Sequence, residues 1–265
     1  MTVKDILNCI TEVAPLQWQE NYDNAGLQIG DLNAETRKAL IALDVTEELL
    51  DEAVAKNCDL IISHHPLIFH GLKHLSPQTY VERVVVKAVK HDIAIISMHT
   101  NLDNSYLGVS RILAEKLGLK NLHILQPSAT DSELCGAGMV GEFEKPMGEL
   151  DFLYLVSTTI GSPCLRHSAL TGRKVQKVAL CGGSGSPFMQ DALHQKVDAY
   201  LTADIKYHDF FVPEGNLLLV DGGHFETEQF TKELLCELIT KKFPTFAAEI
   251  AETNTNAVHY FVKTK

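Results

Sequence analysis

Residues able to do chemistry gather at four places in this chain: His64-His65, His99 with Asp103, Asp204 with His208, and His224 with Glu228. Imidazole nitrogen together with carboxylate oxygen suits zinc, iron, manganese or a similar divalent first-row ion. Two such ions a few ångströms apart would want bridging carboxylates, for which Asp103 and Glu228 are the candidates, and would polarise a water shared between them. His224 and Glu228 stand at i and i+4, so on a helix they share a face. A single histidine is more often a surface or satisfied core residue than a ligand, and the weight here rests on the conjunction at successive element ends. His64 and His65 end the run Leu60-Ile-Ile-Ser63 and precede Pro66. A strand finishing in a polar tip is where open α/β sheets place their ligands. In strand geometry, neighbouring side chains diverge. The two imidazoles would then flank a pair of ions, or one would bind while the other packs.

Other motifs carry less. Gly182-Gly-Ser-Gly185 could cradle an anion on backbone N–H groups, but it lacks the P-loop lysine and the dinucleotide spacing, and a tight strand-to-helix turn reads equally well. Ser63, Ser97 and Ser184 stand near histidines or glycines, yet none lies in G-x-S-x-G, so a serine nucleophile has little support. Tyr22-Asp23-Asn24 reads as a capped turn.

The elements that must position these groups alternate. Val3–Ala14 has helical spacing and ends at Pro15, and Tyr22–Gly30 reads as a loop with turn residues. A buried strand over Ala39–Val45 leads to a helix from Thr46 to about Lys56. A strand at Asp59–Ser63, a helix at Thr79–Lys90, a strand at Ile93–Ser97 and a helix at Val109–Leu117 closed by Gly118 follow. This alternation predicts a mostly parallel sheet with helices on its faces. From Gln126 the pattern is irregular and punctuated by Gly136, Gly138, Gly141 and Gly148. Helices are expected at Gly148–Thr159, Phe188–Lys196 and about Glu226–Lys242, and strands at Val175–Cys181, Ala199–Thr202 and Leu217–Val220. Phe246–Ala251 and Val258–Val262 would pair as closing strands. The expected fold is α/β: two lobes, residues 1–125 and 126–265, or one continuous domain, with mixed sheets flanked by helices around a central metal-binding cleft.

With 45% hydrophobic and 22% charged residues, the 265-residue chain has a globular profile and enough length for a large core. Its 23 Lys and Arg against 34 Asp and Glu give a net charge of −11, which argues against a nucleic-acid footprint. No apolar run nears the ~20 residues of a membrane helix, and no secretory signal opens the chain. A cytoplasmic location is therefore expected. Six cysteines without a C-x-x-C pair read as buried thiols.

Five motifs fall in one order: Tyr22-Asp-Asn-Ala-Gly-Leu-Gln-Ile-Gly30, Ser63-His-His-Pro66, His99-Thr-Asn-Leu-Asp103, Thr202-Ala-Asp-Ile-Lys-Tyr-His208 and Gly223-His-Phe-Glu-Thr-Glu228. Together, over essentially the whole chain, they resemble the NGG-interacting-factor-three-like family, whose members are often labelled GTP cyclohydrolase 1 type 2 homologues. The chain is similar to the short form, without an inserted domain. The resemblance implies a two-lobed α/β fold, a toroidal homohexamer, and a dinuclear metal centre held by His64, His65, Asp103, His224 and Glu228. It places His99 beside that centre, as an extra ligand or as a residue supporting the ligands, and the Asp204–His208 segment in the same cleft. Tyr22 stands where many relatives have tryptophan and Ala203 where glycine is common. The expected function is a metal-dependent hydrolase acting on a nucleotide-like small molecule or phosphoester, with two divalent ions and with His99 or His208 as general acid or base. The alternative is a ring-shaped, metal-binding regulatory or interaction module without catalysis.

Overall fold

A computed structural model describes residues 1–129, 131 and 133–261. Its strands in chain order are β1 (Gly26–Ile29), β2 (Lys38–Ala42), β3 (Leu60–Ser63), β4 (Ala94–Ser97), β5 (Lys120–Pro127), β6 (Gly136–Met147), β7 (Arg166–His167), β8 (Val175–Ser184), β9 (Ala199–Ala203), β10 (Leu218–Asp221) and β11 (Ala247–Ile250). The helices are α1 (Val3–Thr11), α2 (Glu47–Ala55), α3 (Tyr80–Lys90), α4 (Thr100–Asp103), α5 (Val109–Lys116), α6 (Glu149–Ile160), α7 (Met189–His194), α8 (His224–Glu228) and α9 (Thr231–Lys242). These elements form two units, each built on its own mixed sheet flanked by helices, as the alternation implied. The first comprises Met1–Leu102 and Thr231–Ala257; the second comprises Asp103–Phe230 and resumes at Val258. The chain thus changes unit after Leu102, not at residue 125. It also returns to the first unit for α9, because β11, which follows that helix, pairs with β2.

In the first unit the strand order is β1-β4-β3-β2-β11. β11, β2, β3 and β4 run parallel, and β1 lies antiparallel on the edge. Leu40-Ile-Ala42, Leu60-Ile-Ile62 and Ile95-Ile96 are almost completely buried, the continuous apolar run expected of strands covered on both faces. Thr46 caps α2 by accepting from the Leu49 N–H at 3.1 Å, and Thr79 caps α3 in a reciprocal box with Glu82. Those helices bury Leu49, Leu50, Ala53, Val84, Val85 and Ala88 against the sheet. Because β2, β3 and β4 are parallel, their carboxyl ends share one edge, so Asp44, His64-His65 and His99 follow directly from three neighbouring strands.

The second unit orders its strands β5-β6-β8-β9-β10-β7. β8, β9 and β10 are parallel, while β5, β6 and β7 pair antiparallel. Here the shared carboxyl edge carries Gly182–Gly183, Asp204 and Gly223-His224. α6 and α5 close a core of Leu113, Phe152, Val156, Leu180 and Leu201, among others.

Several expectations need correction. The irregular stretch after Gln126 contains a continuous 12-residue strand, Gly136–Met147. Its glycines permit close approach by β5: a Cβ at Gly136 would lie 2.3 Å from the Gln126 carbonyl oxygen, and one at Gly141 would lie 2.6 Å from Leu122. The Tyr22–Gly30 loop hides β1, too short to show alternation. The expected long helix at 226–242 is two helices, α8 and α9, divided where the chain changes unit. β11 pairs with β2, not with a closing strand; residues 258–261 lie in no strand, and Val262 lies outside the described residues. The six cysteines are thiols, with Cys9, Cys58, Cys135 and Cys181 buried but Cys164 exposed. Among the described residues, no helix is long and apolar enough to cross a membrane.

Candidate metal centre

His64 and His65 lie just past the end of β3, so strand alternation no longer governs them. Both of their backbone N–H groups bond to the Leu43 carbonyl, at 3.1 and 2.9 Å, and this bend brings the rings to 4.8 Å between centroids. The hydroxyls of Ser63 and Ser97 donate to the His65 carbonyl at 2.8 and 3.2 Å. The two serines thus pin the bend after β3. His99 joins the group, its ring 5.5 Å from His64 and 5.6 Å from His65.

All three rings are oriented through Nδ1. His64 Nδ1 lies 2.7 Å from the Met98 carbonyl oxygen; a carbonyl can only accept, so Nδ1 carries the hydrogen and Nε2 the lone pair. His65 Nδ1 donates to Asp44 at 2.7 Å, and Asp44 also accepts from Thr255. His99 Nδ1 donates to Asp23 at 2.7 Å. The buried Asp23 carboxylate accepts further from Asn24 N–H at 2.7 Å and from Thr100 N–H at 3.0 Å, with the Thr100 hydroxyl at 2.5 Å. Burial raises its pKa, but the His99 and Thr100 hydrogen bonds outweigh this and bring it down to about 2, so Asp23 is ionised.

The second unit holds a matching set. On α8, His224 Nε2 lies 3.1 Å from the buried Glu228 carboxylate, confirming the shared helix face, while its Nδ1 lies 2.7 Å from Asp204. Burial disfavours the imidazolium, yet the hydrogen bonds to Asp204 and Glu228 prevail and raise its pKa to about 11. A cation is therefore favoured between these carboxylates. Room for Glu228 comes from Gly183, where φ is +63° and a Cβ would sit 2.0 Å from Glu228 Oε1. Asp103, at the end of α4, is half-buried. Burial pushes up the Cys181 thiol, and the negative charges of Asp103 and Glu228 push it further. The Gly182–Gly185 loop is not an anion cradle. Three of its N–H groups are taken by hydroxyls: Gly182 by Ser110, Gly183 by Thr227 and Gly185 by Thr202, at 3.3, 3.0 and 2.8 Å.

His208 does not join this set. It is exposed on the short turn Tyr207–Phe211 and packs beside Tyr207 and Phe211. Its expected partner Asp204 holds His224 instead. Asp44 and Asp23 escaped the sequence reading as functional residues. The signal for Asp44 was present, since it is a polar residue closing the apolar run of β2, as His64 closes β3.

Histidines that bind metals use one ring nitrogen and donate the other N–H to a carboxylate or carbonyl. His64 and His65 in the first unit, and His224 in the second, each hold Nδ1 against such an acceptor. The molecule is thus an α/β protein of two mixed sheets with histidine–carboxylate groups at the strand ends. The chain belongs to the Duf34/NIF3 (NGG1p interacting factor 3) family, whose model matches residues 1–257. A Clostridium perfringens relative named GTP cyclohydrolase 1 type 2 homolog is 36% identical over 231 residues, covering 86% of this chain and 87% of that protein. One of the same name from Streptococcus pneumoniae is 30% identical, covering 98% and 100%. Among solved structures, Staphylococcus aureus hypothetical protein SA1388 superposes with a TM-score of 0.93 at 30% identity, covering 98% of this chain and 99% of that one. Reduced HcgD from Methanocaldococcus jannaschii gives 0.78 at 26% identity, covering 96% and 98%.

Proposed function

We propose that the chain is a cytoplasmic, dinuclear-metal-dependent hydrolase acting on a nucleotide or other phosphoester, and that it assembles as a homohexamer. The observation that carries this reading is the fixed orientation of His64, His65 and His224 through acceptors at Nδ1. In this reading His64, His65, Asp103, His224 and Glu228 would hold two divalent ions. When bound, such ions act as Lewis acids that polarise the scissile group and make a water acidic enough to attack near pH 7. The protein's part is orientation and proton handling. Asp44 and Asp204 aim His65 and His224. Asp23 fixes His99 with its hydrogen on Nδ1, so Nε2 can take a proton from the attacking water or return one to the leaving group. His99 suits this role better than His208, whose ring has no carboxylate orienting it among the described contacts. The relatives' shared name supports a nucleotide substrate.

The test combines elemental analysis of purified protein with turnover of a nucleotide and phosphoester panel, using His65→Ala and Glu228→Ala as controls. Bound first-row metal and turnover lost in both variants are expected. Turnover that survives both variants would refute the mechanism, and metal binding without turnover on any substrate would replace it with a binding role.

A further inference from the structure

The motif Tyr22–Gly30 does more than form a turn. Asp23 reaches His99, while its neighbours reach the loop after the histidine pair. Asn24 Nδ2 donates to the Ile68 carbonyl at 2.6 Å, Gln28 Oε1 accepts from the Ile68 N–H at 3.2 Å, and Gln28 Nε2 donates to the Asn24 carbonyl at 2.6 Å. These bonds lace segment 22–28 to segment 66–69, and each segment carries an aromatic ring into solvent. Tyr22 is 67% exposed and Phe69 38% exposed. Their centroids lie 6.4 Å apart at an interplanar angle of 56°. Phe69 in turn stands edge-on to His99, with centroids 6.1 Å apart and an angle of 82°. The order Tyr22, Phe69, His99 therefore leads from an exposed aromatic face to an oriented imidazole within one unit.

We infer that Tyr22 and Phe69 form a ring-binding subsite, so that the substrate handled beside His99 carries a planar aromatic or heteroaromatic group. Water-exposed aromatic faces held by bonds from side chains of segment 22–28 to the backbone at Ile68 are pre-organised, and a planar ring gains offset-stacked or edge-to-face contacts there. An aliphatic group of equal size would gain apolar burial but not the ring–ring geometry. This inference rests on the reading that the histidine group handles substrate, and it names the class of that substrate.

The experiment uses full-length, metal-loaded protein and three non-hydrolysable ligands that share one anionic group: phenylphosphonate, cyclohexylphosphonate and methylphosphonate. Calorimetry is expected to show phenylphosphonate binding about tenfold tighter than methylphosphonate, with cyclohexylphosphonate clearly weaker than the phenyl compound. Tyr22→Ala and Phe69→Ala should each erase most of that preference while leaving metal content and methylphosphonate affinity unchanged, and Tyr22→Phe should keep it. The inference is overturned if wild-type protein shows no phenyl preference, if the preference survives both alanine variants, or if none of the three ligands binds. A change of oligomeric state in Tyr22→Ala on size-exclusion chromatography would also overturn it, by making the rings a contact between copies. The hydrolase reading fails separately, through absence of turnover, which does not enter this binding comparison.

Discussion

Gly183→Ala tests how the Glu228 carboxylate is accommodated. At Gly183 φ is +63°, and a Cβ would lie 2.0 Å from Glu228 Oε1 and 3.3 Å from His224 Cε1. Two effects are expected. The left-handed backbone conformation costs an L-residue about 1–2 kcal/mol. The Glu228 carboxylate, with a side chain only 4% exposed, must also move by more than an ångström, and disturbing a buried hydrogen-bonded group costs about 1–3 kcal/mol further. Gly118→Ala separates the two, because Gly118 has φ +81° in the same unit with nothing within 4 Å of the added carbon. The control should lose only the backbone term. At about 2–4 °C per kcal/mol for a chain of this size, Gly183→Ala should unfold about 2–12 °C below Gly118→Ala in thermal scans. Elemental analysis should show the metal content of Gly183→Ala falling while that of the control stays at the wild-type level. Equal thermal losses in the two variants, with full metal content in both, would refute the argument that Gly183 exists to make room for Glu228.

Two further outcomes are expected. Glu52 accepts from Lys56, from Glu252 N–H and from Thr253 N–H; burial raises its pKa, but these bonds outweigh it and lower the value from 4.5 to about 2. A depressed carboxylate adds stability above pH 4.5 that is lost as pH falls through about 2. Glu52→Gln should therefore lose about 1–3 kcal/mol in urea unfolding at pH 7, with the gap closing towards pH 2; a gap independent of pH would show that the carboxylate's charge is not the cause. Asp44→Ala removes the acceptor that orients His65 and should weaken metal affinity about 10- to 100-fold with little change in far-UV circular dichroism, and an unchanged affinity would remove Asp44 from the site.

How much was legible before the structure depends on how local each cause is. The sequence by itself determined the buried strands Leu40–Ala42 and Leu60–Ile62, because continuous apolar runs have few alternatives. It determined the cap Thr46, whose partner lies three residues away, and the common face of His224 and Glu228, which follows from the helical repeat. It showed less where glycine serves long-range packing. Gly136 and Gly141 read as breaks, yet they lie inside one strand because β5 passes too close for a side chain. Helix 226–242 read as continuous because the change of unit at Phe230 leaves no local mark.

Tertiary structure alone decided which carboxylate orients His65, His99 and His224 through Nδ1. Asp44 meets His65 across 21 residues, Asp204 meets His224 across 20, and Asp23 meets His99 across 76. Parallel strands with crossover helices bring separated strand ends to one edge, and no spacing rule in the sequence encodes such a meeting. The sequence therefore named the imidazoles through their positions at strand and helix ends. The parallel registers of β2 and β3 and of β9 and β10 brought Asp44 to His65 and Asp204 to His224, and the segment before the antiparallel edge strand β1 brought Asp23 to His99.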